Sequence, residues 1–143
     1  MLLGEYNHSV DPKGRLAIPA KFRADLETGA IITRGLDNCL FLFALKEWRD
    51  LAGKLMGLPL ASANSRAFVR LMLSGASDVE FDAQGRILIP EYLRSYAGIK
   101  KQAVVTGLYS RVEIWDNTRW GDYKAKTEGA SDQIAEQLGE LGI

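Results

Sequence analysis

Asp11-Pro12-Lys13-Gly14-Arg15-Leu16-Ala17-Ile18-Pro19 returns 71 residues later as Asp82-Ala83-Gln84-Gly85-Arg86-Ile87-Leu88-Ile89-Pro90. Both copies run on into a short aromatic and basic stretch, Ala20-Lys21-Phe22-Arg23 and Glu91-Tyr92-Leu93-Arg94. After one inserted residue the period becomes 72: Ile32-Thr33-Arg34-Gly35-Leu36 is answered by Val104-Val105-Thr106-Gly107-Leu108, and Leu40-Phe41-Leu42-Phe43 by Val112-Glu113-Ile114-Trp115. Trp48 is answered by Trp120. Self-similarity at a fixed spacing means one supersecondary unit used twice. The units span residues 5–54 and 76–126, with a helical connector over 55–75 and a tail over 127–143.

Asp-Pro-Lys-Gly suits a type I turn, with Asp first, Pro second and Gly fourth. Asp-Ala-Gln-Gly is the same turn without the proline. Strands are expected on both sides of each turn, 5–10 with 15–18 and 78–81 with 86–89. Pro19 and Pro90 then stop the second strand and start short helices over 20–27 and 91–97. A further strand pair follows in each unit, 30–34 with 39–42 and 103–106 with 111–115, joined by links rich in turn formers. Each unit therefore reads strand-strand-helix-strand-strand. Apolar stripes predict connector helices over 46–56 and 65–73, a helix over 117–127 mirrors the first, and 131–143 forms a weakly amphipathic helix or a frayed end.

A chain of 143 residues can bury an adequate core as one body, whereas each half is close to the lower limit for folding alone. The halves are expected to fold against each other. No apolar run reaches the 18 or so residues of a membrane span. Met1-Leu2-Leu3 meets Gly4 and Glu5 at once, unlike a signal peptide, and Cys39 is the only cysteine. These features lead to the expectation of a soluble cytoplasmic protein. Net charge is zero, with 18 basic and 18 acidic residues, but its distribution is uneven. Residues 1–75 hold ten Lys/Arg against seven Asp/Glu, a net +3, and residues 76–143 hold eight against eleven, a net −3. Lys13 to Arg23 contains four basic residues and no acid, which makes the first repeat the better polyanion contact.

Catalytic chemistry has little to stand on. His8 is the only histidine, and no CxxC or HExxH spacing suggests a metal. Asp11 and Asp82 could form an acid/base pair, but an arginine four residues on depresses each pKa and spoils a proton shuttle. No enzyme, cofactor or small-molecule substrate is expected. Two readings of the turns remain open. In the structural one, the Asp closes the turn and the Arg pairs with it. In the functional one, Asp11 and Asp82 orient the hairpins while Arg15 and Arg86 offer their planar forks to a phosphate or a guanine edge. Duplication of the motif and the crowding of Lys13, Lys21 and Arg23 around the first copy favour DNA as the partner. The rival class is an assembly module that uses helices 46–56 and 65–73 as its partner surface. Trp48, Trp120 and the Phe41/Phe43 group are expected to pack in the core rather than stack on bases. Arg66 and Arg70 are expected on a solvated helix face.

With both copies in hand, the chain closely resembles the MraZ family, built from two tandem SpoVT/AbrB-like units. Gly4-Glu5-Tyr6, His8-Ser9, Asp11 to Leu16 and Ile18 to Arg23 carry the match in the first unit. Asp82, Gly85 to Pro90 and Leu93-Arg94 carry it in the second. The resemblance covers residues 1–128 and implies an α+β fold in which two ββαββ units intertwine as a pseudo-symmetric swapped-hairpin β-barrel with packed helices. It also implies a ring-shaped homo-oligomer that works at the nucleoid. Such a protein is a transcriptional regulator that binds G-rich direct repeats of double-stranded DNA upstream of its own cell-division and cell-wall operon. By the same resemblance Arg15 and Arg86 are the central DNA contacts, Lys13, Gly14, Lys21 and Arg23 surround the first, and Asp11 and Asp82 orient them. Gln84 and Glu91 stand where the first unit has Lys13 and Ala20, so equal DNA contact by both halves is not implied.

Overall fold

The computed structural model describes residues 1–142. The first unit supplies β1 (Leu2–Ser9), β2 (Arg15–Ala17), α1 (Ala20–Leu26), β3 (Ala30–Arg34) and β4 (Leu40–Ala44). Helices α2 (Leu45–Met56) and α3 (Ala63–Ser74) lead to β5 (Ser77–Val79), β6 (Arg86–Leu88), α4 (Glu91–Ala97), β7 (Gln102–Tyr109) and β8 (Val112–Asp116). Helices α5 (Asn117–Gly129) and α6 (Ser131–Leu138) follow, with a last 3-10 turn over Gly139–Leu141.

Local chemistry sets many of the boundaries. Pro19 and Pro90 stand at the N-caps of α1 and α4, where a missing N–H costs nothing. Ser62 caps α3 by accepting from the Ser65 N–H at 3.2 Å. Asp116 caps α5 by accepting from the Thr118 and Arg119 N–H groups at 3.2 and 3.3 Å, satisfying donors that the first turn leaves free. Helix α4 stops at Gly98, whose φ of 62° is the left-handed cap that glycine adopts at little cost.

The pairing of the strands departs from the simple hairpins expected. Strand β1 does not pair along β2; the backbones of the two arms meet at the Val10–Leu16 bridge and at the Asp11 N–H to Arg15 C=O bond of 3.0 Å. Instead β1 runs antiparallel to β7 of the second unit, from Leu2 opposite Tyr109 to Ser9 opposite Gln102. In exchange β5 of the second unit pairs with β3 of the first. The reason is length and burial. An eight-residue strand finds an eight-residue partner in β7, while the three-residue β2 and β6 turn their buried centres, Leu16 and Ile87, toward each other.

The result is a six-stranded sheet of order β1-β7-β8-β4-β3-β5 and a separate two-stranded ribbon, β2 with β6. The strands among the described residues do not close into the barrel expected: β1 and β5 end the larger sheet. Leu16 pairs with Ile87 and Phe41 with Glu113. Each is a residue opposite its own repeat equivalent, so an approximate two-fold axis passes between the units at both places.

Alternation along the strands divides the core into two layers. Leu40 and Leu42 join Leu16, Ile18, Phe22 and Leu26 of the first unit with Ile87, Ile89 and Leu93 of the second. Phe41 and Phe43 face the other way and join Cys39, Leu55, Met72, Val104 and Trp115, with Trp48 and Trp120 packed around them. The tryptophans are therefore core elements. No residue of α5 or α6 is fully buried.

Candidate nucleic-acid interface

The two Asp/Arg turns share one construction. In the first, Asp11 Oδ1 accepts from the backbone N–H groups of Lys13 and Arg15 at 3.0 and 2.8 Å, and Oδ2 accepts from Arg15 Nε at 2.6 Å. In the second, Asp82 accepts from the N–H groups of Gln84 and Arg86 and from Arg86 Nε, each at 2.9 Å. The turns close through Gly14 N–H to Asp11 C=O and Gly85 N–H to Asp82 C=O, at 2.9 and 3.0 Å. Both glycines have positive φ, 86° and 75°, a region that a side chain disfavours. The Arg15 N–H, ahead of its guanidinium, holds the Asp11 carboxyl below the usual aspartate value, and the Arg86 N–H does the same for Asp82. Both are carboxylates at neutral pH, each bonded to the Nε of its own arginine.

Using Nε for the carboxylate leaves the terminal guanidinium nitrogens of Arg15 directed elsewhere. Arg86 differs: its Nη1 also lies 3.7 Å from Asp11 Oδ2, so one carboxylate touches the arginines of both units. The ribbon brings these groups together, with Arg15 opposite Leu88 and Ala17 opposite Arg86. Leu16 and Ile87 point into the core, which leaves the outer face to Arg15, Ala17, Arg86 and Leu88.

The turns are also stitched across the units. Ile18 N–H donates to Gly85 C=O at 3.1 Å, and Ile89 N–H donates to Gly14 C=O at 2.9 Å. Arg94 of α4 donates through Nε to Ile89 C=O at 2.9 Å and lies against Gly14. Arg23 of α1 makes the mirrored crossing to Gly85, with its Nε buried and without a hydrogen-bond partner. Arg23 thus lies against the turn of the other unit. Lys13 is exposed at the turn tip. Lys21 is exposed on α1 with its ammonium over the rings of Tyr6 and Phe22, 5.7 and 5.9 Å from the centroids. Arg94 was visible in the sequence only as the repeat equivalent of Arg23; nothing local announced its contact with Gly14.

Several charged groups outside the turns have structural partners. Arg66 donates to the carbonyls of Leu60 and Ala61 at 3.0 and 3.1 Å. Buried Glu113 accepts from Arg111 Nε and Trp115 Nε1, each at 3.0 Å. Burial and the nearby Glu113 charge push the Cys39 thiol far up, away from nucleophilic use. Among the described residues no cluster of three or more His, Cys, Asp or Glu side chains could hold a metal, and no helix is long and apolar enough to cross a membrane.

A family model described as "MraZ protein, putative antitoxin-like" matches twice in tandem, over residues 1–71 and 72–140. The chain belongs to the MraZ family. Proteins named "Transcriptional regulator MraZ" are similar to it from end to end: that of Acetivibrio thermocellus is 50% identical, and that of Alkaliphilus metalliredigens 49%, each with both chains covered completely. The one from Thermoanaerobacter pseudethanolicus is 48% identical, again over the whole of both chains. MraZ proteins are named as regulators of transcription and not as enzymes. The tandem MraZ match coincides with the duplicated turns, one in each matched segment.

Proposed function

We propose that this MraZ protein regulates transcription by binding double-stranded DNA through its paired Asp-x-x-x-Arg turns, reading G-rich direct repeats upstream of its own cell-division and cell-wall operon. The observation that carries the reading is the ribbon face, on which Arg15 and Arg86 are each aimed by a carboxylate. An arginine fork suits the O6 and N7 acceptors of guanine, and a two-stranded ribbon fits the major groove. Lys13 and Lys21 supply phosphate contacts, and Gly14, packed against Arg94 with a positive φ, holds the turn in shape. Arg23 enters through the turn it supports. Each chain makes few phosphate contacts, so a ring-shaped homo-oligomer on spaced repeats gains its affinity from effective concentration. The protein works in the cytoplasm at the nucleoid.

Fluorescence anisotropy tests this with the DNA upstream of the gene against scrambled DNA, at several salt concentrations, for wild type and Arg15→Ala. Specific binding with a steep salt slope that the substitution abolishes is the expected result. Equal weak binding to both duplexes, unchanged by the substitution, returns the turns to a structural role.

A further inference from the structure

Leu88 is 57% exposed, although Ile87 and Ile89 on either side of it are fully buried. A lone exposed leucine is ordinary on a protein surface; the position of this one is not. Its cross-strand partner is Arg15, and directly paired residues of an antiparallel ribbon project from the same face. One surface groove of about 240 Å³ is lined by Arg15, Arg86 and Leu88 together with Glu80, Phe81 and Asp82. Two guanidinium groups there are offset by two carboxylates, so a phosphate entering the groove meets repulsion as well as attraction. A base edge meets a better match. Guanine presents acceptors to an arginine fork, and thymine presents a C5-methyl group that calls for an apolar partner.

We infer that Leu88 is a specificity-determining residue that packs against the C5-methyl group of a thymine beside the guanine taken by Arg15. The inference rests on the DNA reading of the ribbon proposed above. The two-fold axis places Ala17 opposite Arg86 where Leu88 stands opposite Arg15, and alanine reaches far less surface. The two arginines therefore read different surroundings: a guanine with a thymine neighbour on the Arg15 side, and a guanine with no matching methyl contact on the Arg86 side.

The test is anisotropy with the upstream duplex made twice, once with thymine and once with deoxyuridine at every thymine, which removes only the methyl groups. Wild type is expected to bind the deoxyuridine duplex about fourfold more weakly per contacted methyl. Leu88→Ala is expected to bind both duplexes alike, and Leu88→Met to keep the preference. Equal binding of the two duplexes by wild type, or a preference that survives Leu88→Ala, overturns the assignment. A wild type that cannot tell the upstream duplex from a scrambled one overturns the DNA reading itself, and this inference with it.

Discussion

Arg23 lies directly beneath Gly85, with its Cζ 2.6 Å from where a side-chain carbon on Gly85 would stand. The contact joins helix α1 of one unit to the turn of the other. Arg94 and Gly14 repeat it in the opposite direction, also at 2.6 Å. Each Asp/Arg turn therefore rests on an arginine contributed by the other unit, and neither turn is shaped by its own sequence alone.

Gly85→Ala is expected to destabilise the fold by about 1–2 kcal/mol through the positive φ alone, and further through displacement of the Arg23 guanidinium. Each kcal/mol corresponds to a fall of about 2–4 °C in Tm for a chain near this size. Thermal unfolding of Gly85→Ala, Arg23→Ala and the double variant measures the coupling. The double variant should be more stable than the sum of the single losses indicates, because the shortened side chain vacates the space. Strict additivity would show that the contact does not limit the turn.

The Asp11 and Asp82 carboxyls give the fold an acid limit. Both have folded-state pKa values below the ordinary aspartate value, chiefly through the Arg15 and Arg86 N–H bonds. Their contribution to stability is full above the unfolded-state value and is lost as the pH falls through the depressed folded-state values. Urea unfolding midpoints should therefore decline below about pH 4, and less steeply in Asp11→Asn. An identical acid profile in the variant would remove Asp11 from the account.

Glu113 replaces the apolar residue that its repeat equivalent, Phe41, brings to the axis, and it faces Phe41 across β4 and β8. Its carboxylate satisfies both Arg111 and the Trp115 ring N–H. Glu113→Ala strands a buried donor and a half-buried charge, at a cost of about 2–3 kcal/mol. Glu113→Gln keeps an acceptor for Trp115 and should cost clearly less. Chemical denaturation of the two variants separates hydrogen bonding from charge: equal losses would mean that the negative charge, rather than the acceptor, holds this corner.

Turns, helix starts and the duplication were legible because they are local. Asp11-Pro12-Lys13-Gly14 carries its own turn geometry, Pro19 and Pro90 stop strands wherever they stand, and a period of 71 residues needs no partner to be seen. Strand partnership was not legible in the residues themselves; only the family resemblance implied that the units intertwine. Nothing in Gly4-Glu5-Tyr6 says that its bonds go to Val105, Thr106 and Gly107 rather than back along the adjacent hairpin arm, since both pairings satisfy the same alternation. The candidate site divides in the same way. Asp11 with Arg15 and Asp82 with Arg86 could be read from their spacing. The crossing of Arg23 to Gly85 could not be read, because it depends on how the two units pair. Leu88 looked like one more apolar residue in an apolar run, and only its register against Arg15 sets it apart.

The exchange of β1 and β5 has a consequence for supply as well as for shape. A unit cut from this chain would have to borrow its missing edge strand from a second molecule, so the ribbon would assemble only when molecules met. Helices α2 and α3 tether lender and borrower in one polypeptide and turn that encounter into an event within one chain, which dilution does not weaken. The ribbon that carries Arg15 and Arg86 is therefore complete in every molecule made, even when a cell holds only a few copies.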